Sequence, residues 1–344
     1  MKFEILNPLD VSDWNTRLSP SSGESVFNTV EWARTLCDSY GYNPCYLSRR
    51  DGDGRSTLLP LMEVDSWLTG RRGVSLPFSD FCALIGLAAD NVEAVVQELI
   101  ALGQRRKWRY FEIRNDQAVP DTMPRSERYL THTLDLTSGE QANFERLESS
   151  VRTSIRKAVK LGVEVTFSDS LDTVRGFYRL NCETRRRHGL PPQPFLFFKN
   201  LHQHVLAKGL GRIATARHEG RAIAADVFLN TGRQALYKYG ASEAGSQHLR
   251  ASNLVMWEAI RRYSQEGYER LALGRTAKIH SGLRRFKLGW GAQESEMGYI
   301  KYDFRRSEFQ GERSAGSENG YGFVRRLPLW VLQWGGRALY RHMA

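Results

Sequence analysis

Segments with a helix period and segments with a strand period alternate along this chain in two successive series. That order narrows the possible folds more than any single motif. In the first series, Phe27 to Tyr40 carries an apolar stripe (Phe27, Val30, Trp32, Ala33, Leu36) that predicts a helix. Cys45–Leu47 and Thr57–Met62 read as strands around an Asp51-Gly52-Asp53-Gly54 turn. A helix over Val92–Arg106 and strands at Tyr110–Ile113 and Thr131–Leu136 follow. The second series starts with a helix capped by Ser149 or Ser150 and ended by Leu161-Gly162. It continues with a strand at 163–167, helices at 171–187 and 195–207, and a hairpin over 212–229 that turns at His218-Glu219-Gly220-Arg221. A strand at 234–239, a helix from Asn253 to about Gln265 with Ser252 as its cap, and strands at 270–273 and 298–303 complete it. The expected fold is α/β (α+β), built as two tandem units that each run helix, strands, helix, strand. The expected boundaries are 1–148 and 149–304, then a polar linker at 305–320 and a basic amphipathic tail helix at 321–344.

Composition removes several alternatives. A chain of 344 residues that is 41% hydrophobic and 25% charged has enough apolar material for two cores, so collagen-like, disordered and disulfide-stapled classes are excluded. Its four cysteines (Cys37, Cys45, Cys82, Cys182) form no CxxC pair, and the reading is a reduced cytosolic protein. Met1–Ile5 has no signal-peptide pattern, and no apolar run reaches the length of a membrane span. The net charge is +11, and 39 of the 49 cations are arginine. Arginine's planar fork suits phosphate and carboxylate, although arginine-rich codon usage also produces such a bias.

Common catalytic signatures are absent: no GxxxxGK[ST] loop, no GxGxxG, no HExxH and no GxSxG. His202 and His204 stand two apart on a helix and diverge, so no metal site is expected. Cys182 reads as a buried structural thiol. Four stretches remain. Arg152, Arg156 and Lys160 make a basic row, beside a stripe of Val151, Ile155 and Val159 expected to pack inward. Thr184–Pro194 (TRRRHGLPPQP) places cations at a helix end before a stiff turn. In Tyr237–Ser242 (YKYGAS), strand alternation puts Tyr237 and Tyr239 on one face and Lys238 on the other. Gly274-Arg275-Thr276 and Gly282–Ala292 (GLRRFKLGWGA) crowd Arg284, Arg285, Lys287 and Trp290 among glycines, a composition suited to holding an oxyanion or phosphate.

Taken in order, the basic helix, TRRRHGLPPQP, YKYGAS, SNLVMWEAI (252–260), LGR (273–275) and GLRRFKLGWGA resemble the FemAB-like family. It is also described as a BioF2-like, GNAT-related acetyltransferase domain, and the subset associated with exopolysaccharide and exosortase systems looks nearest. Phe27–Trp32 and Leu76–Phe81 look similar too, so the resemblance covers about residues 25–304. It implies two GNAT-like units and acyl or aminoacyl transfer, with acyl-CoA or aminoacyl-tRNA as co-substrate and no resident cofactor. It implies that Lys287, after a phenylalanine, lies by the reacting carbonyl. Charge extends the site to Arg152, Arg156, Arg275, Arg284, Arg285 and Lys238, with Trp290 beside them as acceptor-binding residues. Tyr239 is the candidate base. Ser252 and Asn253 stand where the donor's phosphates would meet a helix N-terminus, although His248–Asn253 lacks the family's two loop glycines.

The expected function is transfer to an amine or hydroxyl of a phosphate-bearing envelope or exopolysaccharide acceptor, in the cytoplasm or at the inner face of the membrane. The competing reading is a non-catalytic module that holds RNA or an anionic glycan, recognisable by steep salt dependence without turnover. From Tyr321 to Ala344 there are four arginines and no acidic residue. That tail suits either an anionic membrane surface or docking on the protein itself.

Overall fold

The computed structural model describes residues 3–18, 25–50, 56–82, 84–88, 90–312, 322 and 324–343. The first elements are β1 (Glu4–Leu6), α1 (Trp14–Arg17), α2 (Val30–Tyr40), β2 (Asn43–Pro44), β3 (Tyr46–Arg50), β4 (Ser56–Leu59), β5 (Met62–Val64), β6 (Arg72–Val74), α3 (Val92–Arg106) and β7 (Tyr110–Ile113). Next come β8 (Glu127–Asp135), α4 (Gly139–Glu145), α5 (Ser149–Lys160), β9 (Glu164–Ser168), α6 (Leu171–Arg187), α7 (Phe195–His204), β10 (Gly211–His218) and β11 (Arg221–Thr231). The rest are β12 (Gln234–Ser242), α8 (Ala251–Gln265), β13 (Arg270–Ala277), α9 (Ser281–Leu288), β14 (Gln293–Asp303), β15 (Glu308–Phe309) and α10 (Leu329–Leu339).

The chain forms two compact units. One holds Met1–Tyr129, Glu296–Gly316 and Tyr340–Ala344; the other holds Leu130–Ser295 and Ser317–Leu339. In the first unit, β2, β5 and β6 pair antiparallel, β6 pairs parallel with β7, and β7 pairs antiparallel with residues 300–303 of β14. Its core gathers Val95, Leu99 and Leu102 from α3 against Phe111, Ile113, Ile300 and Tyr302. β15 pairs with β14 through Tyr302 and Phe309, so the early part of the expected 305–320 linker is strand; 313–320 lie outside the described residues. The expected Asp51–Gly54 turn also lies outside them. Pro60 has no amide to donate to a ladder, and the expected strand over 57–62 is accordingly split between β4 and β5.

In the second unit, β9, β10, β11 and β12 run antiparallel and β12 pairs parallel with β13. Parallel strands need a crossover, and α8 supplies it here as α3 does between β6 and β7. This shared strand–helix–strand arrangement is the duplication visible in the element order. α8 packs on β10 and β11 with α5 beside it, while α6 covers β10–β12 from the other side and carries α7 and α10.

Two local expectations are corrected. Ser149 and Ser150 do not cap α5: Glu148 is the N-cap, and its amide donates to the Gly289 carbonyl at 3.0 Å. Val159 does not pack inward; it is 59% exposed, and Ala158 is buried instead. An i, i+4, i+8 row drifts by about 80° round a helix, so its third member leaves the core face. The glycine-rich stretch after Ser281, given no secondary structure by the sequence, is the helix α9.

Candidate active site in the second unit

β12 and β13 pair over Gln234–Leu236 and Arg270–Ala272 only, although β12 runs on to Ser242 and β13 to Ala277. Past that point the two parallel strands share no ladder pair among the described residues. β12 is also bulged: Val227 of β11 faces Tyr239 while Phe228 faces Tyr237, which leaves Lys238 as the extra residue. A bulge reverses alternation beyond it, so the expectation that Tyr237 and Tyr239 share a face is wrong. Tyr237 packs on Phe228 (5.7 Å between ring centroids) on the α8 side. Tyr239 turns to the α6–α7 side, 5.6 Å from Phe198, with the Lys238 ammonium 5.3 Å from its ring.

Lys287 enters this region from α9. It is 2% exposed, and its Nζ donates to the carbonyls of Gly274 (2.8 Å) and Arg275 (3.1 Å) on the stretch of β13 beyond the ladder. An ammonium so deeply placed needs such acceptors to offset its lost hydration. His132 on β8 is 1% exposed and its Nε2 lies 2.9 Å from Glu294. Arg284 grips the same carboxylate with two bonds of 2.7 and 2.8 Å. Burial first, and then the Lys287 and Arg284 charges, hold the His132 imidazole below its ordinary value against the pull of Glu294. The Arg284 bond and charge keep the Glu294 carboxyl below the usual range. With His132 neutral, Nε2–H donates to Glu294 and Nδ1 is left as an acceptor. His132 Nδ1, Thr276 Oγ1 and Trp290 Nε1 are buried with no hydrogen-bond partner among the described residues.

Asp226 of β11 lies under the strand as well. It is 3% exposed, and burial raises its carboxyl well above the ordinary value against the hydrogen bond from the Ala241 amide. A Cβ at Gly240 would overlap the Tyr237 hydroxyl and reach within 3.1 Å of Asp226 Oδ1, so glycine is required there by space. His132, Glu294 and Asp226 were missed by sequence reasoning, and Thr276 was singled out only as part of the Gly274–Thr276 stretch.

Past the end of β12, a recess of about 210 Å³ is lined by Ser242, Glu243, Ser246, Gln247, Arg250, Ser252 and Asn253, and the Glu243 carboxylate in it is held by Arg221 and the Ser246 hydroxyl. α8 does not begin behind Ser252 as expected. It begins at Ala251, and Arg250 is the N-cap in the left-handed region at φ 57°. The absent glycine therefore does not prevent the glycine-like turn. Arg250 adopts it at a cost of about 1–2 kcal/mol, and Ser252 and Asn253 stand in the helix's first turn at the recess.

The remaining predicted residues are scattered. Arg152 donates to the Glu145 carbonyl (2.7 Å), and Arg156 lies 5.5 Å from the Phe144 ring. Trp290 is a core side chain, 1% exposed and edge-on to Phe286. Arg285 is exposed on α9, and Arg275 is half-buried beside the Lys287 acceptors. Among the described residues no cluster of three or more His, Cys, Asp and Glu could hold a metal. The first unit has a larger recess of about 490 Å³ between the β1–β3–β4 sheet and Trp14, and it contains none of the predicted residues.

Every element of this site falls in one stretch of chain apart from His132. Residues 146–294 match the acetyltransferase (GNAT) domain. The solved structure of FemX has the same fold with a TM-score of 0.69 at 12% identity, over 89% of this chain and 98% of that one. A tandem GNAT protein from the clavulanic acid biosynthesis pathway matches at 0.52 and 14% identity, over 88% and 98%. L-PGS from Bacillus licheniformis matches at 0.56 and 15%, over 87% and 93%. No curated protein sequence matches this chain. The fold is thus mixed α/β, shared with tandem GNAT proteins.

Proposed function

We propose that this protein is an acyl- or aminoacyltransferase of the FemAB-like kind, acting in the cytoplasm on an amine or hydroxyl of a phosphate-bearing envelope or exopolysaccharide precursor. The observation that carries the reading is the Lys287 ammonium. It is buried and anchored on two β13 carbonyls where β13 leaves β12, inside the region that matches an acetyltransferase domain. The acceptor attacks the carbonyl carbon of a donor ester or thioester, and the tetrahedral intermediate expels the donor's hydroxyl or thiol. A fixed cation at this place stabilises the developing oxyanion. Tyr239 relays the acceptor's proton, and Arg275 meets the acceptor's phosphates. The α8 recess fits the phosphates of a donor, since a helix N-terminus with flanking hydroxyl and amide side chains favours anions. His132 Nδ1 on β8 and Thr276 Oγ1 on β13, buried without hydrogen-bond partners among the described residues, are groups that a bound substrate could satisfy.

Lys287→Met removes the charge and keeps the chain's bulk. Turnover of acetyl-CoA or of an aminoacyl-tRNA with an envelope precursor should fall by about 10²–10³-fold while the melting curve is retained. Unchanged turnover in that variant would reject the assignment. Salt-dependent nucleic-acid binding with no transfer from either donor would favour the binding-module reading.

A further inference from the structure

Helix α10 is left unused by the transfer chemistry. One face of it is packed against α6: Leu332 and Gly336 are buried, and Gln333 Nε2 donates to Cys182 Sγ at 3.5 Å. The other face is bare. Trp330 and Trp334, one helical turn apart, are each 71% exposed. Two indoles side by side in water form the kind of apolar patch that marks an interaction surface. Arg325 and Arg326 stand exposed just before the helix and Arg337 in its last turn, and the sequence from 321 onward has no acidic residue. Arg325 shares its surroundings with the end of α6: with burial as the main cause, the Arg187, Arg185 and Arg325 charges together hold the His188 imidazole below its ordinary value. The patch is therefore aromatic in the middle and cationic at both ends.

We infer that the Trp330–Trp334 face of α10 is a membrane-surface anchor for a bilayer containing anionic phospholipid. The indoles lie at headgroup depth and the arginines bind lipid phosphates. Tryptophan favours this boundary because its ring is apolar while its N–H stays hydrated. A helix of 11 residues spans about 16 Å and lies on a bilayer rather than across it. Among the described residues no helix is long and apolar enough to cross a membrane. Charge decides against a second copy of the chain as the occupant, because self-pairing would set arginines against arginines. The inference stands on this surface alone and not on the transfer reading.

The test uses the full-length protein with vesicles of phosphatidylcholine and of an equimolar phosphatidylcholine–phosphatidylglycerol mixture. Cosedimentation should require phosphatidylglycerol and weaken with salt. W330A/W334A should lower the partition coefficient about 10-fold or more and abolish the lipid-induced blue shift of tryptophan fluorescence. R325E/R326E/R337E should lower it roughly 100-fold. Equal binding to both vesicle types, or wild-type binding by W330A/W334A, would overturn the inference. So would a wild-type dimer in sedimentation velocity that W330A/W334A dissolves, or a lower melting temperature in that variant, which would show that the indoles pack within the protein.

Discussion

Asp226 stands in the middle of an Ala-Ala-Asp-Val-Phe run, and its carboxyl is enclosed beneath β12. Burial lifts its folded-state pKa above the unfolded value, so the native state holds a proton that the unfolded chain gives up. Stability from this group is therefore complete below the unfolded carboxyl range and declines as pH rises toward the folded value. Asp226→Asn should flatten that decline: its melting temperature should exceed the wild type's near pH 8, with the gap closing toward pH 4. Gly240→Ala should cost about 3 kcal/mol in urea unfolding, because the Tyr237 hydroxyl it strikes is wedged beside Phe228 and Asp226. A carboxylate inside an apolar run was a readable signal of something unusual at 226. His132 offered none, since a histidine in a strand next to threonines is ordinary until Glu294 is brought against it.

Among the elements, α8 and β12 show how local geometry prepares the site. Arg250 occupies a left-handed cap that glycine would hold without strain, so Arg250→Gly should stabilise the protein by about 1 kcal/mol in chemical denaturation. Deleting Lys238 removes the residue that makes the bulge. Tyr237 and Tyr239 would then be consecutive residues that keep Phe228 and Val227 as partners and still face opposite sides, so turnover in the deletion variant should stay within about 10-fold of the wild type at an intact far-ultraviolet spectrum. Helices were the more legible class: α3 and α6 lie over the ranges expected for them, Val92–Arg106 and Leu171–Arg187. The bulge was not legible. Pairing with β11 creates it, and nothing in Tyr237–Lys238–Tyr239 distinguishes a bulged strand from a regular one.

For the molecule as a whole, the first unit depends on chain that returns after most of the second, Leu130–Ser295, has been laid down. Ile300 and Tyr302 sit in its core and Phe309 packs against them, while β14 closes on β7. A chain ended after Ser295 should therefore fail to form the first unit and show exposed apolar surface by dye binding. One ended after Glu312 should form its core but melt lower than the full chain, because the buried Tyr340 and His342 of the same unit are lost with the tail. A linear boundary near 148 could not anticipate this, because strand partnership across almost two hundred residues leaves no mark on local composition.

Sequence order and apolar period determined by themselves that this chain is an α/β protein with a duplicated plan, while Lys287 became a candidate through the resemblance of its phenylalanine–lysine segment. These are local quantities, set by side-chain spacing and residue chemistry. Tertiary structure alone decided that Lys287 is buried on the Gly274 and Arg275 carbonyls, that Glu294 ties His132 to Arg284, and that Tyr237 and Tyr239 face apart. Each of those depends on which distant backbone groups come within about 3 Å of one another, and that proximity exists only once the strands have paired.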